Sequence, residues 1–83
     1  VEEIAEMNFS VFPNPVSEML NVKLTLDADF TVTLTDILGK QIFTESYTST
    51  SSTTINVADF PEGIYMLQLN AGNEVFYDRV IVK

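Results

Sequence analysis

Leu20-Asn21-Val22-Lys23-Leu24-Thr25-Leu26 alternates an aliphatic residue with a polar one at every step. Only an extended chain sends each second side chain to the same face, so this stretch reads as a strand with one buried side and one wet side. Phe30-Thr31-Val32-Thr33-Leu34-Thr35 repeats the pattern just downstream. Tyr65, Leu67 and Leu69 alternate in the same way with Ile64, Met66 and Gln68, although there the second face is also apolar at its start. Threonine fills many of the polar positions, and its β-branched side chain suits a pleated surface better than a helix. Residues 8–12, 41–47 and 54–57 are shorter candidates. Residues 75–82 are rich in strand formers, but Asp78 and Arg79 interrupt them and leave the register open. No capped apolar stripe of helical period occurs, so helix content is expected to be close to nil.

Turn chemistry separates these stretches. Pro13-Asn14-Pro15 removes two backbone donors and forces an extended kink between the first two strands. Asp27-Ala28-Asp29 reads as a short polar reversal. Asp36-Ile37-Leu38-Gly39 reads as a type I turn, in which the aspartate bonds to the backbone ahead of it and the glycine takes positive φ as a bulge. Pro61-Glu62-Gly63 and Ala71-Gly72-Asn73 close the remaining hairpins. The run at 48–54 is entirely serine and threonine, with nothing apolar to bury, and is expected to be a flexible surface loop. About seven short strands with turns between them imply an all-β, immunoglobulin-like antiparallel β-sandwich, with a small barrel as the alternative. With neither Cys nor Trp present, the antibody-type core pin is missing.

At 83 residues the chain holds one compact domain. Without cysteine it has neither a disulfide nor a thiolate metal site, and it tolerates an oxidising compartment. No apolar run is long enough to span a bilayer. Residues 1–6 are acidic where a secretory signal would be basic and apolar, so an export signal is expected on a longer precursor. The net charge of −8 repels phosphate backbones and anionic lipids, which argues against nucleic-acid binding. Lys23, Lys40, Arg79 and Lys83 are its only cations.

Catalytic chemistry has little to stand on. Histidine is absent, and with it the commonest general base and metal ligand. The serines at 46–52 have no histidine or lysine close by in sequence to act as base. Asp27 with Asp29, and Asp59 with Glu62, are carboxylate pairs. A glycosidase pair, however, must flank a cleft that so small a domain would struggle to form. Asp27 and Asp29 are also two oxygen ligands for calcium, but they lack the glycine and distal glutamate of an EF-hand loop. These readings leave no catalytic residue, no metal site and no cofactor. Gly39 and Gly63 are expected where a side chain would strain the backbone, and Tyr65 is expected to bury its ring with its hydroxyl satisfied.

Four segments together resemble a known family. Val11-Phe12-Pro13-Asn14-Pro15 resembles the (Y/F)-PNP motif that opens C-terminal sorting domains of the type IX, or Por, secretion system. Leu34-Thr35-Asp36-Ile37-Leu38-Gly39-Lys40 resembles the family's D-x-x-G-(K/R) turn, and Phe60-Pro61-Glu62-Gly63-Ile64-Tyr65 its L-x-x-G-x-Y segment, with phenylalanine in place of leucine. Arg79-Val80-Ile81-Val82-Lys83 is similar to the basic-and-aliphatic stretch on which such proteins end.

The resemblance implies a non-catalytic signal domain at residues 9–83, with residues 1–8 as the remnant of a linker from upstream cargo. It implies a Gram-negative bacterium, transit through the periplasm, and delivery to the cell surface or the medium. Its partners would be the cargo, an outer-membrane translocon and a sortase-like protease that removes the domain. Pro13, Asn14, Pro15, Asp36, Gly39, Lys40, Gly63 and Tyr65 would set the fold. Arg79, Val80, Ile81, Val82 and Lys83 would be read by the machinery, with strand addition at the edge of the last strand as the expected mode. The competing class is an accessory carbohydrate-binding or adhesive sandwich. That reading needs a planar aromatic platform, for which Tyr47 and Tyr77 are the spare rings while Phe9, Phe12, Phe30, Phe43, Phe60, Tyr65 and Phe76 are largely committed to the core or its edges. A purely structural spacer is the third reading.

Overall fold

The computed structural model describes residues 8–83, so the greater part of the expected linker at residues 1–8 lies outside the described residues. Five strands follow one another: β1 (Phe9–Phe12), β2 (Met19–Thr35), β3 (Gln41–Asn56), β4 (Gly63–Ala71) and β5 (Glu74–Val82). All named pairings are antiparallel. The protein is an all-β sandwich.

Two long strands make the two layers. The first part of β2 pairs with β1 on one side and with residues 52–56 of β3 on the other. Its second part pairs with residues 41–47 of β3 and, on the opposite side, with β4, which carries β5. Register shifts between Lys23 and Phe30 mark where both strands bend from one layer into the next. Bulges of this kind add local twist, which is how a continuous sheet folds over on itself.

This bend corrects three expectations. Five strands form where about seven were expected, because β2 and β3 each serve both layers. Asp27-Ala28-Asp29 does not reverse the chain: it lies within β2, where Ala28 pairs with Thr50. The serine- and threonine-rich run at 48–54 is not a loop but part of β3. A strand needs main-chain partners more than apolar side chains, and β2 supplies them. The Asp29 carboxylate also accepts the amide of Ser49 at 2.8 Å, where φ is +52°.

The core follows the predicted alternation. Leu20, Val22 and Leu24 from the first layer meet Phe30, Val32, Leu34, Leu67, Leu69 and Val80 from the second, all buried. Leu26, expected on the same inner row, is exposed because it falls in the bend. The open register of residues 75–82 is settled by the pairings Tyr65 with Val80 and Leu69 with Phe76, which put the even-numbered side chains of β5 inward. Asp78 shares that row opposite Leu67, yet stays exposed, and its carboxylate takes the amide of Arg79 at 2.8 Å. An inward-side charge on an edge strand discourages further sheet growth there.

Candidate functional site

Two of the sequence motifs converge on β5, which forms the edge of the second layer. After Pro13 and Pro15, both preceded by cis peptide bonds, Val16 lies parallel to Val82. The Val16 amide donates to the Ile81 carbonyl at 2.8 Å, and the Lys83 amide donates to the Val16 carbonyl at 2.9 Å. Between the prolines, the Asn14 side chain extends the pairing. Its Nδ2 donates to the Arg79 carbonyl at 2.8 Å, and its Oδ1 accepts the Ile81 amide at 2.9 Å. The carboxamide thus stands in for one peptide unit of a neighbouring strand.

This strap changes what the closing strand can offer. The edge-facing main-chain groups between Arg79 and Lys83 are already paired, so an incoming strand would have to displace residues 14–16. Val80 and Val82 are buried in the core, whereas Arg79 and Lys83 are exposed and Ile81 is half-buried.

The turn between β2 and β3 forms as its residues require. The Gly39 amide donates to the Asp36 carbonyl at 3.0 Å, closing the four-residue turn. The Asp36 Oδ1 accepts the amides of Leu38 at 3.0 Å and Lys40 at 2.8 Å, and Gly39 adopts φ +88°. The Asp36 amide closes the base onto the Lys40 carbonyl at 2.9 Å. The Lys40 side chain is left in solvent.

Gly63 and Tyr65 begin β4. Gly63 has φ +153°, a conformation that side chains rarely adopt. Tyr65 is buried, and its hydroxyl donates to the Pro61 carbonyl at 2.6 Å, tying the approach to β4 back onto the strand. A tyrosine bonded to the backbone a few residues upstream is the tyrosine corner of immunoglobulin-like sandwiches. Its ring extends an aromatic row, 6.0 Å from Phe60, which lies 6.5 Å from Phe43. Burial, reinforced by the Asp36 carboxylate, raises the phenol above its usual pKa.

Residues 10–83 match the family described as Secretion system C-terminal sorting domain. The chain belongs to that family. It is a type IX sorting domain, and as a module it is non-catalytic. An endo-acting ulvan lyase from Formosa agariphila is 32% identical over 74 residues, which make up 88% of this chain and 14% of that enzyme. The chain thus spans about a seventh of the relative's length. Among solved structures, a DUF3244 family protein from Bacteroides vulgatus with an immunoglobulin-like β-sandwich fold superposes with a TM-score of 0.76. That match covers 94% of this chain and 95% of the other at 20% identity, a likeness of fold.

Sequence reasoning found the Asp36 turn and a buried Tyr65 with a satisfied hydroxyl but missed the Asn14 carboxamide as a partner of β5. One signal was available: an asparagine between two prolines has no flanking amides, so its own side chain is the polar group on hand. It also missed Ile37, Ile64 and Met66 as a shared exposed surface. Of the two rings read as spare, Tyr47 packs on Phe30 at 5.1 Å, while Tyr77 is exposed; Phe12 is more exposed than expected.

Proposed function

We propose that this domain is the delivery label of a larger secreted protein, carrying upstream cargo across the outer membrane by the type IX route to the cell surface or the medium. The family match across residues 10–83 carries this reading. The ulvan lyase supports it, because a similar segment makes up a small part of a much longer enzyme. The translocon meets the domain folded, and a sortase-like protease then cuts at or upstream of residues 1–6. Arg79, Ile81 and Lys83 are read through their side chains, while Val80 and Val82 hold the strand in the core and Asn14 with Val16 guard its edge. Pro13, Pro15, Asp36, Gly39, Gly63 and Tyr65 shape the domain, and Lys40 contributes only its main-chain amide and carbonyl to the turn.

The carbohydrate-binding alternative is less well supported. A sugar platform wants exposed rings, and Tyr47 is half-buried with its ring packed 5.1 Å from that of the buried Phe30.

The test is a reporter carrying an N-terminal secretory signal and this domain, expressed in a Gram-negative host with a type IX system. Deleting 79–83 would remove core residues and confuse recognition with folding. The double variant Arg79→Glu/Lys83→Glu changes only exposed side chains. Surface or medium delivery of the parent fusion and periplasmic retention of the variant are expected. Periplasmic retention of the parent would overturn the reading.

A further inference from the structure

We propose that the turn at residues 36–39 and the adjoining outer faces of β4 and β5 form a docking surface for a protein partner that presents a large apolar side chain beside a carboxylate. This rests on the sorting reading only for where the partner is met. Ile37 and Leu38 are 78% and 89% exposed at the turn apex. Asp36 and Gly39 alone fix that turn, so its geometry calls for nothing apolar at the two central positions. Ile64 and Met66, 47% and 46% exposed, lie on the outer face of β4 and share a hollow with Ile37.

Ile37, Ile64 and Met66 line one shallow hollow of about 320 Å³ with Asp36, Gly39 and Arg79. A smaller hollow of about 180 Å³ adjoins it across Ile37 and Ile64. A contiguous apolar surface of this kind marks an interaction site rather than scattered surface residues.

Charge selects the occupant. Arg79 pairs with Met66 across the β4–β5 ladder, and its guanidinium has no carboxylate partner among the described residues. Exposed to water such a charge pairs weakly, but once a partner covers the apolar side chains around it the guanidinium can take an incoming carboxylate in a charge-assisted bond. Asp36 lies on the turn side of the hollow, with Oδ1 held by two amides, so the partner's carboxylate belongs on the β5 side. The charge of −8 opposes both a second copy of this chain and an anionic bilayer.

The experiment uses the full chain fused to a secretory-signal reporter in a Gram-negative host with a type IX system, with two separate readouts. A photo-crosslinking residue at position 38 is compared with one at position 54, exposed on the opposite layer. The expected result is a discrete adduct with an envelope protein from position 38 and none from position 54. Met66→Glu or Arg79→Glu should lower the adduct yield by about tenfold, as loss of a hot-spot contact does. Melting curves of the purified variants check that both stay folded. An adduct with a second copy or with lipid, equal adducts from both positions, or no adduct would each overturn the proposal. Export without an adduct leaves the sorting reading standing and removes this surface; an adduct without export does the reverse.

Discussion

The side-chain oxygen of Asn14 accepts the backbone amide of Ile81 at 2.9 Å, across 67 positions of sequence. The same carboxamide donates to the Arg79 carbonyl, so one side chain holds two points on the last strand.

Replacing Asn14 with alanine removes both bonds and should cost about 1–3 kcal/mol. In a domain of this size each kcal/mol corresponds to a fall in Tm of roughly 4–8 °C. Asn14→Asp keeps the acceptor for Ile81 but sets a carboxylate against the Arg79 carbonyl, and should be no more stable than the alanine variant. Thermal melts rank the three proteins. Hydrogen exchange at the Ile81 amide should quicken in Asn14→Ala more than exchange at Leu67.

The Asp36 turn separates conformation from hydrogen bonding. Gly39→Ala places a side chain at φ +88° and should cost about 1–2 kcal/mol, although open space surrounds the position. Asp36→Ala loses two accepted amides and should cost a similar amount, whereas Asp36→Asn retains the carbonyl oxygen and should cost less. Urea titrations of the three variants would show this order; an unchanged midpoint for Gly39→Ala would refute the strain argument.

Tyr65 gives a pH-dependent signature. Its folded-state pKa lies above the unfolded value of about 10, so the neutral phenol stabilises the fold fully below that pH. The contribution is lost as pH rises through the raised, folded-state pKa. Tyr65→Phe, lacking the bond to Pro61, should be destabilised by about 1–2 kcal/mol near neutrality. Because phenylalanine does not ionise, the gap between the two proteins should close above about pH 10. A gap that stays constant through that range would show that the hydroxyl does not ionise differently in the fold.

Neighbouring residues of like chemistry should diverge sharply. Leu34→Ala, fully buried, should cost about 2–5 kcal/mol through lost burial and the cavity left behind. Leu38→Ala, four residues on and almost fully exposed, should change stability by less than about 0.5 kcal/mol. Equal losses would mean that the apex is packed in solution.

Period-two alternation made the inner rows of β2 and β4 legible, because burial on one face of a pleat leaves a record at every second residue. The Asp36 turn was legible for a different reason: its geometry is fixed by short-range bonds among neighbouring residues. The continuity of β2 through Asp27–Asp29, and of β3 through its serines and threonines, was not. Those residues are extended because the partner strand pairs with them, and pairing leaves no mark on either strand read singly. The Asn14 contact was hidden for the same reason at greater range. Residues 79–83 drew notice through their charges and aliphatics, but only the fold separates buried Val80 and Val82 from the side chains that face out.

The strap has a consequence for when the domain can exist. The hydrogen-bond partners of Asn14 and Val16 lie in 79–83, some 65 positions later in the chain. Contacts at such separation form late, after the loop between them has closed. A polypeptide interrupted before Arg79 therefore cannot complete the closure, however well its earlier strands pair. A label finished only by its last strand certifies that everything encoded before it has been made.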